Sequence, residues 1–481
     1  MTMDMPKNVD TAINLLQSAG FEAYAVGGCV RDSLLGKTPN DWDITTSAKP
    51  EDMKSVFADF HCIDTGIKHG TVTVVIDGEP LEITTFRLDG EYEDNRHPKS
   101  VTFTSNLGAD LGRRDFTVNA MAYSKMTGTV DLFGGQNDLK NKIIRCVGDP
   151  DRRFNEDALR ILRALRFASV LDFEIEEKTA QSLLKNCALL GNISEERIAK
   201  ELLKLVCGKG AKRILTGFAP VLFEILPELQ PMYKNSHDNP NHCYDIYEHT
   251  LIAVESIDPE PTLRFAMLLH DCGKPAVKKF DENGVAHFYG HQRISAEISA
   301  QILARLKVSN KFRDEILFLV SNHDRWELYE NTEKMPRYLS KFGLDGVLKL
   351  LKVMRADVLA QSPEYRYRLQ IADAEKIAKN LAAQKPCLSL RELQINGRTL
   401  MDIGIPQGRK LGAVLAQLLD EVIDGVTKNT QEALTTRARE IYSVDFLMRR
   451  IFALFGVEGC VWYGRILSTH RFCTILLIYN L

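Results

Sequence analysis

The run Tyr24-Ala25-Val26-Gly27-Gly28-Cys29-Val30-Arg31-Asp32, followed by Asn40-Asp41-Trp42-Asp43-Ile44, constrains this chain more than any other. A short apolar segment ends in a Gly-Gly turn, a brief helical stretch follows, and two carboxylates then stand two residues apart. Alternate residues of an extended strand point to one face. Asp41 and Asp43 therefore meet at one side of a strand end, where their oxygens repel unless cations lie between them. Mg²⁺ suits such a pair, because it favours carboxylate together with substrate phosphate oxygens. Two such ions about 3.5–4 Å apart can clamp the attacking and leaving oxygens of an in-line displacement. The glycines let backbone N–H groups approach a triphosphate, and Arg31 adds charge-assisted bonds. The segment points to an α/β fold and to nucleotidyl transfer.

Around it, strand and helix signals alternate. Tyr24–Val26, Trp42–Ile44, Thr71–Ile76 and Leu81–Phe86 are β-rich runs bounded by Gly, Pro or Asp. Val9–Ala19 and Pro50–Phe60 carry helical patterns. Beyond about residue 140 the strand signals fade, and helices are expected over Glu156–Val170, Glu176–Leu189, Ser194–Val206 and Ala211–Phe218. The helical pattern continues through 245–380 and 387–442. The expected fold class is α+β and multidomain: a mixed α/β head, then only helices. A chain of 481 residues is too long for one core and allows three or four domains.

The net charge of −3 argues that any RNA contact uses local basic patches rather than a global field. Ten cysteines without a CxxC pair fit reduced thiols and a cytoplasmic location. Met1–Asp10 is acidic and lacks an apolar signal region, so no secretory leader is expected. No run approaches about 18 apolar residues, so no membrane span is expected. Oligomeric state leaves no trace in the sequence.

Two further strings carry chemistry. In Arg113-Arg114-Asp115-Phe116-Thr117-Val118-Asn119-Ala120, paired arginines beside an acid suit phosphate and ribose; a surface ion-pair cluster is the alternative. In Arg152-Arg153-Phe154-Asn155-Glu156-Asp157-Ala158-Leu159-Arg160-Ile161-Leu162-Arg163-Ala164-Leu165-Arg166, Asp157 and Arg160 stand i, i+3 on an expected helix. They form either an exposed ion pair or a base reader. Cytosine and adenine both offer an amine beside a ring-nitrogen acceptor; a carboxylate and a guanidinium match that order. Uracil and guanine reverse it and leave polar groups mismatched.

Taken in order and spacing, Gly-Gly-Cys-Val-Arg-Asp, Asp-Trp-Asp, Arg-Arg-Asp-Phe-Thr-Val-Asn-Ala and Glu-Asp-Ala-Leu-Arg resemble the class II tRNA nucleotidyltransferases, the CCA-adding enzymes and their relatives the bacterial poly(A) polymerases. Ile193–Leu202 looks like a further motif of that family. The resemblance implies a head at 1–140, a neck at 141–225, a helical body at 240–380, a tail at 387–442 and an extension of unassigned role at 443–481. It implies Mg²⁺ on Asp41 and Asp43, and nucleotide contacts from Gly28, Arg31, Arg114, Asp157, Arg160, Arg163 and Arg166. Glu82 is a weaker third carboxylate. CTP, ATP and tRNA are the implied partners, and poly(A) synthesis on the same head is the nearest alternative. The polar segment Phe86–Pro98 matches the position of a loop that the family uses to pass from C to A addition.

Seven of eleven histidines fall between residues 237 and 323. The order His249, His270-Asp271, His291, His323, Asp357 resembles the HD phosphohydrolases, a helical metal-dependent superfamily. That resemblance implies a site for Mn, Ni or Zn, since imidazole with carboxylate suits such ions. A scaffold without turnover, and hydrolysis as the chain's main activity, are the two other readings. His242 and His287 read as ordinary surface histidines.

Overall fold

The computed structural model describes residues 3–90, 100–364 and 371–454. The chain opens with α1 (Lys7–Ser18), which buries Val9, Ala12, Ile13 and Leu16 on one stripe. Strand β1 (Ala23–Val26) and helix α2 (Gly28–Leu34) follow, then β2 (Asp43–Thr46), α3 (Pro50–Val56) and β3 (His61–Gly66). β4 (Thr71–Ile76) alternates half-buried and buried residues, turning Val72, Val74 and Ile76 inward. Asp77 and Gly78, both at positive φ, reverse the chain into β5 (Glu79–Thr85). β6 (Arg87–Asp89) pairs with β7 (Val101–Phe103), and α4 (Leu107–Gly112), β8 (Met121–Ser124), β9 (Gly128–Asp131) and α5 (Gly135–Asn141) complete the head.

One seven-stranded sheet has the order β3-β4-β5-β2-β1-β8-β9. Only β2 and β5 run parallel within it. Tyr24, Val26, Phe86, Leu111 and Ala122 form a buried cluster against this sheet. Burying a side chain such as Phe86 stabilises by about 1.5–3 kcal/mol. The sheet thereby fixes the strand ends that carry Val26-Gly27 and Asp43.

Helices then take over: α6 (Pro150–Glu156), α7 (Leu159–Leu171), α8 (Glu177–Lys185), α9 (Glu195–Val206), α10 (Ala211–Gly217), α11 (Ala219–Ile225), α12 (Ile246–Ser256), α13 (Pro261–Leu269), α14 (Lys274–Val277), α15 (His291–Arg305) and α16 (Asn310–Asn322). After α17 (Glu327–Glu330) comes α18 (Met335–Ala360), which breaks at Gly343. α19 (Ile371–Ala383), α20 (Gly397–Asp402), α21 (Arg409–Ile423) and α22 (Gln431–Leu454) close the described chain. Among the described residues, no helix is long and apolar enough to cross a membrane.

The chain divides into two compact units, residues 1–325 with 349–369, and residues 326–348 with 370–481. The first holds the sheet and the helices up to α16. The second has its own core, including Leu393, Ile395, Leu400, Leu418 and Leu434.

Three expectations differ from the observed elements. The helix expected over Glu156–Val170 is two helices, because Asp157 leaves the helical region at φ −139° and ψ 103°. The helix expected to reach Phe60 ends at Val56. A two-strand hairpin, Lys279–Phe280 with Ala286–His287, interrupts the helical stretch, turned by Asp281 Oδ1, which accepts from Asn283 N and Val285 N. Residues 91–98 of the expected loop lie outside the described residues, as does the apolar run Phe472–Tyr479.

Candidate active site

Asp43 is the first residue of β2 and pairs in register with Val26 on β1 and Glu82 on β5. Neighbours in register share a sheet face, so Glu82 stands beside Asp43. Asp41 lies two residues earlier, and all three carboxylates are exposed. Partial desolvation raises the Asp43 carboxyl; Arg114 opposes this and Asp41 adds to it. A donor set made only of carboxylate oxygens fits Mg²⁺.

The Gly-Gly turn is shaped around an arginine. Gly27 has φ 86°, and a Cβ there would lie 3.0 Å from Arg114 Nη1. Glycine is therefore required both by the backbone conformation and by the guanidinium packed on the turn. Asp110, wholly buried, holds Arg113 at 2.9 Å and Arg114 at 3.7 Å. Asp110 was missed in the sequence, where nothing marks it apart from its place on α4.

The three motifs of the first 170 residues meet in one polar network. Arg31 Nη1 donates to Asn119 Oδ1 at 2.7 Å, and its other nitrogens bind Asp32. Asn119 Nδ2 donates to Asp115 Oδ1 at 3.2 Å. Arg163 on α7 donates twice to Asp115 Oδ2, at 2.8 and 2.6 Å. Burial alone would raise the Asp115 carboxyl, but Arg163, Arg160 and Asn119 together push it down to about 2. Arg166 is paired with Glu201 on α9. The guanidiniums of Arg31, Arg163 and Arg166 lie 5.1, 5.4 and 3.8 Å from the Phe167 ring centroid. Phe167 and Asn119 lie inside the quoted strings, but their connecting role is a tertiary fact.

Asp157 and Arg160 meet through the main chain, not as a side-chain ion pair: the Asp157 carbonyl accepts from Arg160 N at 3.0 Å, while Asp157 Oδ1 accepts from Leu159 N at 3.1 Å. Its other oxygen takes Arg197 of α9 at 3.4 Å. Arg160 donates to Glu156 Oε2 at 2.8 Å and to the Arg113 carbonyl at 3.1 Å. Glu156 and Arg197, unassigned from the sequence, thus orient the two residues expected to read the base.

A second polar centre lies among the helices. His249 is on α12, His270 and Asp271 follow α13, His291 opens α15, His323 follows α16, and Asp357 is on α18. Each ring has Nδ1 on a main-chain carbonyl: Ala360 at 3.1 Å, Met267 at 2.6 Å, Phe288 at 2.9 Å and Val320 at 2.7 Å, in that order. A carbonyl only accepts, so Nδ1–H donates and Nε2 faces inward. The ligand atoms of His249, His270, Asp271 and Asp357 lie within 4.8 Å of one another, as do those of Asp271, His291 and His323. Such a donor set of imidazole and carboxylate fits a transition metal.

The electrostatics match a site shaped for cations. Burial lowers the His270 imidazole, but Asp271 and Asp357 raise it further, to about 10. Burial and the neighbouring His323 hold His291 down at about 3. Gly273 makes the approach of α15 possible, since a Cβ there would sit 2.5 Å from Ser295 N and 2.7 Å from the His291 carbonyl. Three residues were missed. Lys274 Nζ lies 2.7 Å from Asp271 Oδ2 and 3.3 Å from His237 Nε2. His237 stacks on His242, with ring centroids 3.9 Å apart. His242, expected on the open surface, packs 4.9 Å from the His249 ring. His287 pairs with Asp281 outside the cluster.

Known proteins place these features in context. A family model described as the Poly A polymerase head domain matches residues 23–145. A model of tRNA nucleotidyltransferase domain 2 matches residues 281–438. The CCA-adding enzyme of Lactobacillus delbrueckii subsp. bulgaricus is 36% identical over 419 residues, covering 87% of this chain and 94% of that enzyme. The CCA-adding enzyme of Enterococcus faecalis is 33% identical over 439 residues, covering 90% and 96%. Among solved structures, the Bacillus stearothermophilus CCA-adding enzyme in complex with CTP aligns with a TM-score of 0.69 and 31% identity, over 92% of this chain and 99% of that one. The Thermotoga maritima CCA-adding enzyme complexed with tRNA shares the fold, with a TM-score of 0.55 and 22% identity over 90% and 94% of the two chains. With identity above 30% carried across nearly the full length of both partners, around a head built on β2 and the Gly27 turn, this chain belongs to the CCA-adding enzyme family.

Proposed function

We propose that the chain adds C, C and A to the 3′ end of tRNA from CTP and ATP, without a nucleic-acid template. The observation that carries this reading is the convergence of Asp41, Asp43 and Arg114 at the Gly27 turn, in a chain of this family. Asp41 and Asp43 would hold Mg²⁺, with Glu82 beside them. When bound, the metal supplies activation of the primer 3′-hydroxyl and charge stabilisation of the departing pyrophosphate. Arg114 and Arg31 hold the triphosphate, aided by the close backbone approach that Gly28 permits. Asp157 and Arg160, oriented by Arg197 and Glu156, read the amine and ring nitrogen of cytosine or adenine. Arg163 and Arg166 supply further nucleotide contacts by exchanging their present carboxylate partners. The B. stearothermophilus relative in complex with CTP and the T. maritima relative with tRNA support the substrates. The head, neck, body and tail bounded as above then grip tRNA largely by shape and backbone charge, in the cytoplasm.

Product length decides the matter. With tRNA lacking CCA and both nucleotides supplied, three additions are expected. A long A tract would favour a poly(A) polymerase. Shortening the segment between Arg87 and Pro98 should permit CC while weakening the final A; equal loss of C and A would indicate a damaged head.

A second reading rests on the converging imidazoles and carboxylates around Asp271. This is an HD-type centre that binds Mn, Ni or Zn and hydrolyses phosphate esters independently of the head. Purified chain without bound transition metal, inactive toward 2′,3′-cyclic phosphates and simple phosphate esters with each of the three ions, would leave the cluster as scaffold.

A further inference from the structure

Three cations share the ring of Phe167 on α7. The guanidiniums of Arg31, Arg163 and Arg166 stand 5.1, 5.4 and 3.8 Å from its centroid, all within reach of a cation–π attraction. Phe167 and Arg31 are buried, so water screens that attraction little. The ring is itself held in place. It meets Phe116 edge to face, with 5.8 Å between centroids and 77° between planes, an arrangement that aromatic quadrupoles favour. Phe116 follows Asp115, the carboxylate that binds Arg163, so one corner of the head secures both the ring and one of its cations.

Three like charges do not gather round one ring unaided. Each is balanced by its own carboxylate: Arg31 by Asp32, Arg163 by Asp115 and Arg166 by Glu201. Burial lowers the Arg166 guanidinium, Glu201 works against this, and the neighbouring Arg163 adds to the lowering. Nucleotide binding, as proposed, asks these arginines to leave their carboxylates for phosphate or sugar oxygens. A carboxylate holds a guanidinium by directed bonds, and an exchange must break them. A ring face has no lone pair to align with, so a guanidinium can turn over it and remain attracted. Phe167 is thus a contact common to all three arginines that the exchange need not break.

We infer that Phe167 is a positioning residue for the phosphate and sugar end of the nucleotide. Its ring keeps the guanidiniums of Arg31, Arg163 and Arg166 gathered while they trade protein carboxylates for substrate oxygens. This rests on the reading of those arginines as nucleotide contacts. CTP and ATP share that end, so the ring serves both alike. Arg160 turns instead to Glu156 and the Arg113 carbonyl, so rejection of UTP does not run through the ring.

The test is single-turnover addition by the full chain to tRNA lacking CCA, with nucleotide concentration varied so that apparent affinity and maximal rate separate. Phe167 is replaced by phenylalanines carrying one, two or three ring fluorines, which keep the shape of the ring and withdraw charge from its face. Apparent affinity for CTP and for ATP should fall stepwise with each fluorine, while the maximal rate holds. Phe167→Leu removes the face and should weaken both nucleotides by about 2- to 30-fold, the range such contacts span. Circular dichroism checks its fold; where leucine is not tolerated, the fluorinated series decides alone. Affinity unmoved by fluorine would show that the ring merely fills space and would overturn the inference. A loss of maximal rate at unchanged affinity would do the same, as would a loss confined to one nucleotide or to the rejection of UTP. Wild type that adds nothing to this tRNA would remove the CCA reading and this inference with it. Wild type that adds CCA while the fluorinated series stays flat would remove this inference alone.

Discussion

Asp43 stands exposed at the start of β2, whereas Asp271 is buried beneath four imidazoles. The first is reached by water and has the Arg114 guanidinium nearby, which together offset part of its desolvation. Its cation can arrive with the triphosphate, whose oxygens complete the coordination that Mg²⁺ prefers. The second carries a charge that water cannot reach, and the Lys274 ammonium at 2.7 Å and the neighbouring imidazoles neutralise it. In the proposed sites, the two carboxylate centres would differ in when a metal comes: with the substrate in the head, before it in the helical cluster. The head geometry is carried by strand register and the cluster by side chains from five separate segments.

The sharpest way to break this comparison is to remove the exposed pair. Asp41→Ala or Asp43→Ala should reduce incorporation of labelled CMP and AMP to background. As exposed positions they should change unfolding stability by no more than about 0.5 kcal/mol. Near-normal incorporation in Mg²⁺ by either variant would dismiss the head assignment. The buried pair should behave oppositely. His270→Ala with Asp271→Ala should abolish ester hydrolysis and transition-metal binding while sparing CCA addition. Joint loss of both activities in a folded protein would mean that the centres are not independent.

Smaller effects refine the head. Arg160→Ala should relax discrimination of CTP against UTP by about 1–3 kcal/mol, the cost of mismatched polar groups, measured in single-turnover competition. Unchanged selectivity would return Arg160 to a structural role among Glu156 and the Arg113 carbonyl. Asp115→Asn should cost about 1–3 kcal/mol in denaturant unfolding. Its pH dependence has a definite sign. The Asp115 carboxyl is depressed to about 2 in the folded chain, so its contribution is present above the unfolded value of about 4 and is lost as pH falls through 2. The stability gap between wild type and Asp115→Asn should therefore close between about pH 4 and pH 2. A gap constant over that window would show that Arg163 does not set the carboxyl.

Much of the head was legible because its signals are local. β4 was read at its observed limits, since Thr71–Ile76 alternates residue by residue and a turn follows. The Asp-x-Asp spacing was read from the two-residue period of a strand, but β2 begins at Asp43 and Asp41 precedes it. The break at Asp157 was hidden because Leu159, Leu162 and Leu165 keep a helical period on its far side. The pairing of Asp157 with Arg197, across forty positions, follows from how α7 and α9 pack and has no local mark. The histidine cluster was legible as an order of residue types. Lys274 and His242 escaped because lysines and lone histidines are commonly exposed, and only the fold carries them inward.

The crowding of Arg31, Arg163 and Arg166 around Phe167 bears on how the head responds to salt. Each of these arginines already holds an internal carboxylate: Asp32, Asp115 or Glu201. In the proposed site, a nucleotide that engages them displaces a protein anion and sheds few ions to the surrounding solution. Counterion release, the usual source of steep ionic-strength dependence in phosphate binding, is thereby muted. Nucleotide affinity should fall with added salt more gently than three arginines would suggest, leaving the salt sensitivity of the whole reaction to the RNA.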